Sequence, residues 1–139
     1  MADVAVQFEL VSPEKLLVSE EVEMVVVPGG EGDFGVLPGH SPMISTVRPG
    51  VIHVFASGAV SSRIFVAGGF AEVNGSRCTV LAEEALPVDE IDRAAVETDL
   101  KNAVEDAGAT DDAEEQKAAE NRADTARAKL AAIDAPVYQ

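Results

Sequence analysis

Two patterns in this sequence have the residue types and spacing for chemistry, and a third offers charge. Gly30, Gly32 and Gly35 fit the G-x-G-x-x-G spacing of a phosphate-cradling loop, His40 stands beside Ser41, and carboxylates recur at Glu83-Glu84 and throughout the C-terminal half. A dinucleotide loop needs a helix that begins within it and turns its first amides toward pyrophosphate. Val36-Leu37-Pro38-Gly39-His40-Ser41-Pro42 cannot continue as that helix, because its prolines remove amide donors and hold Leu37 and Ser41 extended. His40 and Ser41 are adjacent in extended chain, so their side chains point to opposite sides and make no nucleophile-base pair. His53 falls in strand-like sequence, and neither histidine has the closely spaced ligands of a metal centre. The carboxylates read as a solvated polar face. Cys78 is the sole cysteine, so no internal disulfide can form; its setting, Arg77-Cys78-Thr79-Val80-Leu81, reads as strand with a buried thiol, compatible with a reducing cytosol. The expectation is no catalytic residue, no metal and no cofactor.

The loop's remaining attribute is shape. Four glycines between residues 29 and 35 permit positive φ and close backbone approach, while Pro38 and Pro42 stiffen the second half of the stretch. Strand-like Val22 to Val27 precedes it and Ile44 to Val47 succeeds it, so Gly29 to Met43 reads as an exposed contact surface anchored at both ends.

Charge narrows the partners. The 139 residues carry 25 acids against 10 bases, a formal net charge of −15, and so lack the basic footprint that phosphate contacts require. Nucleic acid is excluded as a partner. No run approaches the roughly 20 apolar residues that span a bilayer, and Met1-Ala2-Asp3 does not begin an export signal. The expectation is a soluble protein without direct bilayer insertion.

The elements that must position the loop divide the chain in two. Val4, Val6, Phe8 and Leu10 alternate with polar or small residues, the period of a strand with one buried face. Further strands are expected at Lys15 to Ser19, Val22 to Val27, Phe34 to Leu37, Met43 to Val47, Val51 to Ala56, Ser62 to Ala67, Phe70 to Val73 and Cys78 to Ala82. Reversals are expected near Glu20-Glu21, at Gly58 and at Asn74-Gly75, where both residues tolerate positive φ. Short strands without a helical interval predict an antiparallel sandwich or barrel over residues 1–86.

From residue 87 the chain is rich in Ala and charge, with no aromatic before Tyr138 and no proline between Pro87 and Pro136. The spacing predicts a helical hairpin over 87–139, with helices near 89–107 and 111–134. Asp89 would cap the first, whose apolar positions include Val96, Leu100, Ala103 and Ala107. Gly108 would stop it, and Thr110 or Asp111 would cap the second, with Glu114 in capping-box spacing from Asp111. The second stripe runs Ala119, Ala123, Ala126, Leu130 and Ile133. Alanine permits close approach but removes little apolar area from water, at about 25 cal/mol per Å². Whether the hairpin is permanently fixed or docks reversibly on something larger stays open at this point.

Gly32-Asp33-Phe34-Gly35-Val36-Leu37-Pro38-Gly39-His40-Ser41-Pro42-Met43, with Arg48-Pro49-Gly50 after it, resembles the signature of the ε subunits of bacterial F-type ATP synthases. Ala67-Gly68-Gly69-Phe70-Ala71-Glu72-Val73 and Thr79-Val80-Leu81-Ala82-Glu83-Glu84-Ala85 are similar to two further stretches of that family, so the likeness runs the length of the chain. The resemblance implies a β-sandwich followed by a C-terminal α-helical hairpin. It also implies a non-catalytic rotor subunit that links the γ subunit to the membrane c-ring and couples proton translocation to ATP synthesis. Carried over by residue, Glu31, Gly32 and Asp33 face the c-ring, and His40, Ser41 and Met43 face γ. The location implied is the cytoplasmic face of the bacterial inner membrane, peripheral through the complex; the lack of a transit-like presequence favours the bacterial form over its mitochondrial counterpart, called δ.

Some members of that family bind ATP at Ile/Leu-Asp-x-x-Arg-Ala where the first helix begins. Ile91 and Asp92 match, but Ala95 and Val96 stand where the pattern has arginine and alanine, and Arg93 lies about 200° away around the helix. No useful ATP binding is expected. In some relatives the hairpin inhibits rotation through basic residues that reach the α/β subunits. Lys117, Arg122, Arg127 and Lys129 are here surrounded by acids, which predicts at most a weak regulatory role. Two other readings stay open on the residues alone: a free-standing β-sandwich interaction module, which would purify as a monomer without ATPase subunits, and a small jelly-roll enzyme dependent on His40.

Overall fold

The computed structural model describes residues 5–135; Val4 of the first expected strand, Pro136 and Tyr138 lie outside them. The strands are β1 (Val6–Val11), β2 (Leu16–Val22), β3 (Met24–Gly29), β4 (Gly32–Val36), β5 (Met43–Thr46), β6 (Gly50–Ala56), β7 (Ala59–Val73) and β8 (Arg77–Pro87). A 3₁₀ turn over Val88–Glu90 leads to helices α1 (Arg93–Gly108) and α2 (Ala113–Asp134). The architecture is a β-sandwich followed by two helices.

One hydrogen-bonded sheet makes both layers of the sandwich, because β7 and β8 are long enough to belong to each. Residues 70–73 of β7 pair with β5 and with 78–81 of β8, whereas residues 64–66 pair with β6 and residues 64–67 with 84–87 of β8. The change of layer falls at Gly68 and Gly69, both with positive φ (72° and 102°). A Cβ on Gly69 would stand 1.7 Å from the Leu81 carbonyl oxygen, so only glycine lets the strands cross this closely. One layer therefore runs β2-β1-β8-β7-β5 and the other β8-β7-β6-β3-β4. The expectation of a wholly antiparallel sandwich needs correction: β1 and β8 are parallel, with Phe8 opposite Cys78 and Leu10 opposite Val80.

Between the layers lies the core that alternation predicts. Val6, Phe8 and Leu10 of β1 meet Val25 and Val27 of β3, Ile52 and Val54 of β6, Val66 and Val73 of β7, and Val80 of β8. Burial of each of the larger side chains contributes about 1.5–3 kcal/mol. Cys78 is fully buried among them, and burial pushes its thiol up to about 12, which makes it unreactive.

The reversals expected at Gly58 and Asn74-Gly75 are both present, but positive φ occurs at the first and not at the second. The two-residue hairpin is Ser57-Gly58, with φ of 55° and 78° between the paired residues Ala56 and Ala59, the signature of a type I′ turn. Asn74-Gly75 needs no positive φ, because the Asn74 side-chain oxygen accepts from the Ser76 and Arg77 amides and closes a wider loop. The second strand also continues through Glu20-Glu21, and the chain reverses at Glu23 instead.

A second apolar cluster joins the sandwich to the hairpin. Val51, Phe65 and Leu86 are cross-strand neighbours on the outer face of β6, β7 and β8, and Ala128 and Ala132 of α2 cover them together with Val88 and Ile91. The helices begin later than the sequence suggests. Asp92, not Asp89, caps α1, its carboxylate accepting from the Ala95 amide at 3.2 Å, since residues 88–90 are held in the 3₁₀ turn. Asp112, not Thr110 or Asp111, caps α2 by accepting from the Glu114 and Glu115 amides at 2.8 and 3.2 Å. Thr110 braces this cap, accepting from the Asp112 amide and donating to Glu115. Val96, Ala103, Ala119, Ala123 and Ala126 are buried in the hairpin, Leu100, Ala107, Leu130 and Ile133 are half-buried, and Ala132 turns to the sandwich.

Candidate interaction site

Gly29 to Met43 folds as a closed excursion with two separate ends. Strands β3 and β4 pair from Val25↔Val36 to Gly29↔Gly32, leaving Gly30 and Glu31 as the turn at one extremity. The chain leaves β4 into Leu37-Pro38-Gly39-His40, where the His40 amide donates to the Leu37 carbonyl at 3.2 Å and Gly39 has φ of 86°. Proline and then glycine at the two central positions suits a type II turn. This turn rests on the far hairpin through the Gly39 amide, which donates to the Gly75 carbonyl at 2.7 Å. Strand β5 then runs back from Met43, paired with Val73, to Thr46, paired with Phe70, and the Thr46 carbonyl accepts from the Gly30 amide at 2.9 Å. The tip and the turn thus lie at opposite ends of β5, on the order of 10 Å apart at strand rise.

The tip holds Glu31, Gly32 and Asp33 at the surface, but the two acids are not equivalent. Asp33 forms an ion pair with Arg48, whose other guanidinium nitrogen donates to the Gly29 carbonyl at 2.6 Å. Glu31 is in no ion pair among the described residues. At the other end His40 is half-buried and its Nδ1 meets the Ser41 carbonyl oxygen at 2.7 Å, which fixes the ring against its own turn. Ser41 is exposed, and Met43 is half-buried with its side chain packed on the core.

Sequence reasoning missed an apolar row on the outer face, level with the Thr46 end of β5. On the outer face, Phe70 of β7 stands opposite Leu81 of β8, Leu81 opposite Val11 of β1, and Val11 opposite Leu16 of β2. Phe70, Leu81 and Leu16 are each more than half exposed, and Ile44 of β5, 73 % exposed, lies next to this row. The signal was the alternation itself, in which Phe70, Leu81 and Ile44 occupy the phase opposite to the core residues.

No group of three metal-ligating side chains occurs among the described residues, and none of their helices is long and apolar enough to cross a membrane. The ATP-motif residues are occupied structurally. Asp92 caps α1, Ile91 packs beside Phe65 and Ala132, and Arg93 donates to Asp134 at 2.5 Å, which raises the guanidinium above its ordinary value.

Residues 5–88 match the beta-sandwich domain of the ATP synthase delta/epsilon chain. The chain belongs to the ATP synthase delta/epsilon family. It is 59 % identical to the ATP synthase epsilon chain of Rhodospirillum centenum, over 94 % of this chain and 92 % of that one. To the epsilon chain of Paramagnetospirillum magneticum it is 62 % identical, over 81 % and 82 % of the two chains. A solved mitochondrial ATP synthase from Euglena gracilis, comprising OSCP, F1 and c-ring, contains a chain of the same fold, with a TM-score of 0.84 at 24 % identity over 96 % of this chain and 84 % of that one. Family membership covers the sandwich that carries the tip and the turn, and the two epsilon relatives extend the likeness into the helices.

Proposed function

We propose that this epsilon-family chain is a non-catalytic subunit of the central stalk of an F-type ATP synthase. It joins γ to the c-ring and transmits proton-driven rotation toward ATP synthesis, as a peripheral component at the cytoplasmic face of a bacterial inner membrane. The observation that carries this reading is the separation of two unlike surfaces on one stiff sandwich. At one end is a narrow acidic tip, suited to polar or basic ring loops; at the other is the His40-Ser41 turn with Met43, and the outer face of the layer that contains β5 carries the apolar row of Ile44, Phe70 and Leu81. An apolar row exposed on a chain of net charge −15 is supported best by a tightly held protein partner, and γ is that partner in this reading. No reacting group is needed, because torque passes through the sandwich as a rigid body.

Co-expression with γ and affinity capture tests the attachment. Wild-type chain retains γ through purification, whereas Phe70→Asp with Leu81→Asp releases it; retention by the double variant overturns the assignment. Charge reversal at Glu31 and Asp33 together tests the ring contact, which fails if assembly and proton-coupled ATP synthesis are unchanged. The hairpin is assigned a weak regulatory contact toward the α/β subunits. Deleting residues 87–139 and measuring ATP hydrolysis checks it, a large rise pointing instead to a strong brake.

A further inference from the structure

We propose that Arg48 is the positioning residue of the glycine-rich tip, pairing with Asp33 at the surface so that Glu31 is the uncompensated acid offered to the partner. The proposal rests on the reading that the tip faces the c-ring, and it divides labour between two acids that sequence treats alike.

Arg48 engages the tip at three points. Its backbone amide donates to the Pro28 carbonyl at 2.9 Å, one guanidinium nitrogen donates to the Gly29 carbonyl at 2.6 Å, and the other pairs with the Asp33 carboxylate. The Gly30 amide is held separately by the Thr46 carbonyl at 2.9 Å. Both sides of the turn are therefore tied to the segment that ends β5. Space is equally restricted. A Cβ on Gly29 would come within 2.7 Å of the Gly32 carbonyl oxygen and 2.9 Å of the Phe34 ring, and one on Gly30 within 2.2 Å of Thr46 Oγ1. These glycines serve close approach rather than looseness.

Recognition is affected in two ways. The guanidinium beside Asp33 offsets that carboxylate, so the negative field leaving the tip comes from Glu31. A turn already fixed in place loses little conformational freedom when it docks, and such preordering favours affinity without any added contact. Lysine could not reproduce this fully, because a guanidinium can hold a carbonyl and a carboxylate at once in a fixed fork.

The test uses the full chain for amide exchange at Gly30 and the assembled enzyme in membrane vesicles for proton-coupled ATP synthesis. Arg48→Gln and the milder Asp33→Asn each speed Gly30 exchange, about three- to tenfold, and lower coupling, whereas Glu31→Gln lowers coupling with Gly30 still protected. Arg48→Lys recovers part of both, which a simple folding defect in Arg48→Gln would not explain. Unchanged Gly30 protection in Arg48→Gln and Asp33→Asn overturns the proposal. So does a loss of coupling in Asp33→Asn with Gly30 fully protected, since Asp33 would then be a recognition charge itself. If Glu31→Gln and Glu31→Lys leave coupling intact while Arg48→Gln and Asp33→Asn loosen Gly30, the ring-facing reading fails and the strap on the tip stands.

Discussion

Lys129 of α2 reaches Glu84 of β8 at 2.5 Å while its ammonium lies 5.7 Å from the centre of the Phe65 ring, so one side chain joins the hairpin to the sandwich by charge and by an aromatic face. The Lys129 side chain is 18 % exposed and Glu84 is 44 % exposed. Solvent screening limits the ion pair to roughly 1 kcal/mol, with the ring adding a similar amount at most. The surrounding contact is small, because Ala128 and Ala132 present little apolar surface to Phe65, Val51 and Leu86. Lys129→Met keeps the apolar stem and removes the charge. Amides from Ala128 to Ala132 should then exchange about fivefold faster with the sandwich unaffected. Raising salt to about 0.5 M should reproduce part of that change in the wild type. Equal exchange in variant and wild type would show that apolar packing and the Arg63 guanidinium, which donates to the Ala132 carbonyl at 2.9 Å, seat the hairpin without Lys129.

Gly68 and Gly69 should respond very differently to alanine despite their shared positive φ. At Gly69 the new methyl would collide with the backbone of Leu81, which is fixed in the sheet; at Gly68 it would meet the Glu83 carboxylate at 2.5 Å, the far end of a side chain that can rotate away. Gly69→Ala should destabilise the chain by about 3 kcal/mol or more and Gly68→Ala by about 1–2 kcal/mol, read from urea unfolding midpoints. Similar losses at both positions would contradict the close crossing of β7 and β8.

Much of the sandwich was legible because strand alternation is local: Val6, Phe8 and Leu10 announce a one-sided strand without reference to anything else. The parallel pairing of β1 with β8 was not, since Phe8 and Cys78 are 70 positions apart and neither side chain encodes the direction of a partner strand. At Asn74-Gly75 the residue types admitted positive φ, yet the Asn74 side chain closed the loop by another route. Ser57-Gly58 used positive φ with a less usual first residue. The start of α1 moved from Asp89 to Asp92 because contacts at Val88 and Ile91 hold the 3₁₀ turn before it, and that of α2 moved to Asp112, whose cap Thr110 braces. Within the site, sequence located the glycine-proline surface. The Arg48–Asp33 pairing and the row from Leu16 to Phe70 required the register of strands that are distant in sequence.

His53 gives the fold a pH dependence of known sign. It is 8 % exposed, and burial lowers its pKa from the ordinary 6.5; Arg63, its neighbour across β6 and β7, lowers it further, while Asp33 and a backbone hydrogen bond at Val51 oppose the shift. The unfolded imidazole therefore takes a proton more readily than the folded one. Stability attached to the neutral ring is fully present above pH 6.5 and is lost as pH falls from there through the folded value. Thermal melts across that window should fall more steeply for wild type than for His53→Gln, which leaves every carboxylate in place. Parallel curves would remove His53 as a source of the dependence.

The start of α1 should not bind ATP usefully. Asp92 already spends its carboxylate on the Ala95 amide, Ala95 offers no charge, and Arg93 is directed to Asp134 at the end of α2. Recruiting Arg93 to a phosphate would leave Asp134 without that partner and would loosen the point where the two helices meet. Titration calorimetry on the full chain should give a dissociation constant no tighter than about 1 mM, equivalent to roughly 4 kcal/mol of binding. Arg93→Ala should leave that result unchanged while increasing exchange at the last turn of α2. A micromolar constant for the wild-type chain would show that the missing arginine is replaced from elsewhere in the hairpin, with Arg122 and Lys129, which line the groove between helices and sandwich, the first to substitute.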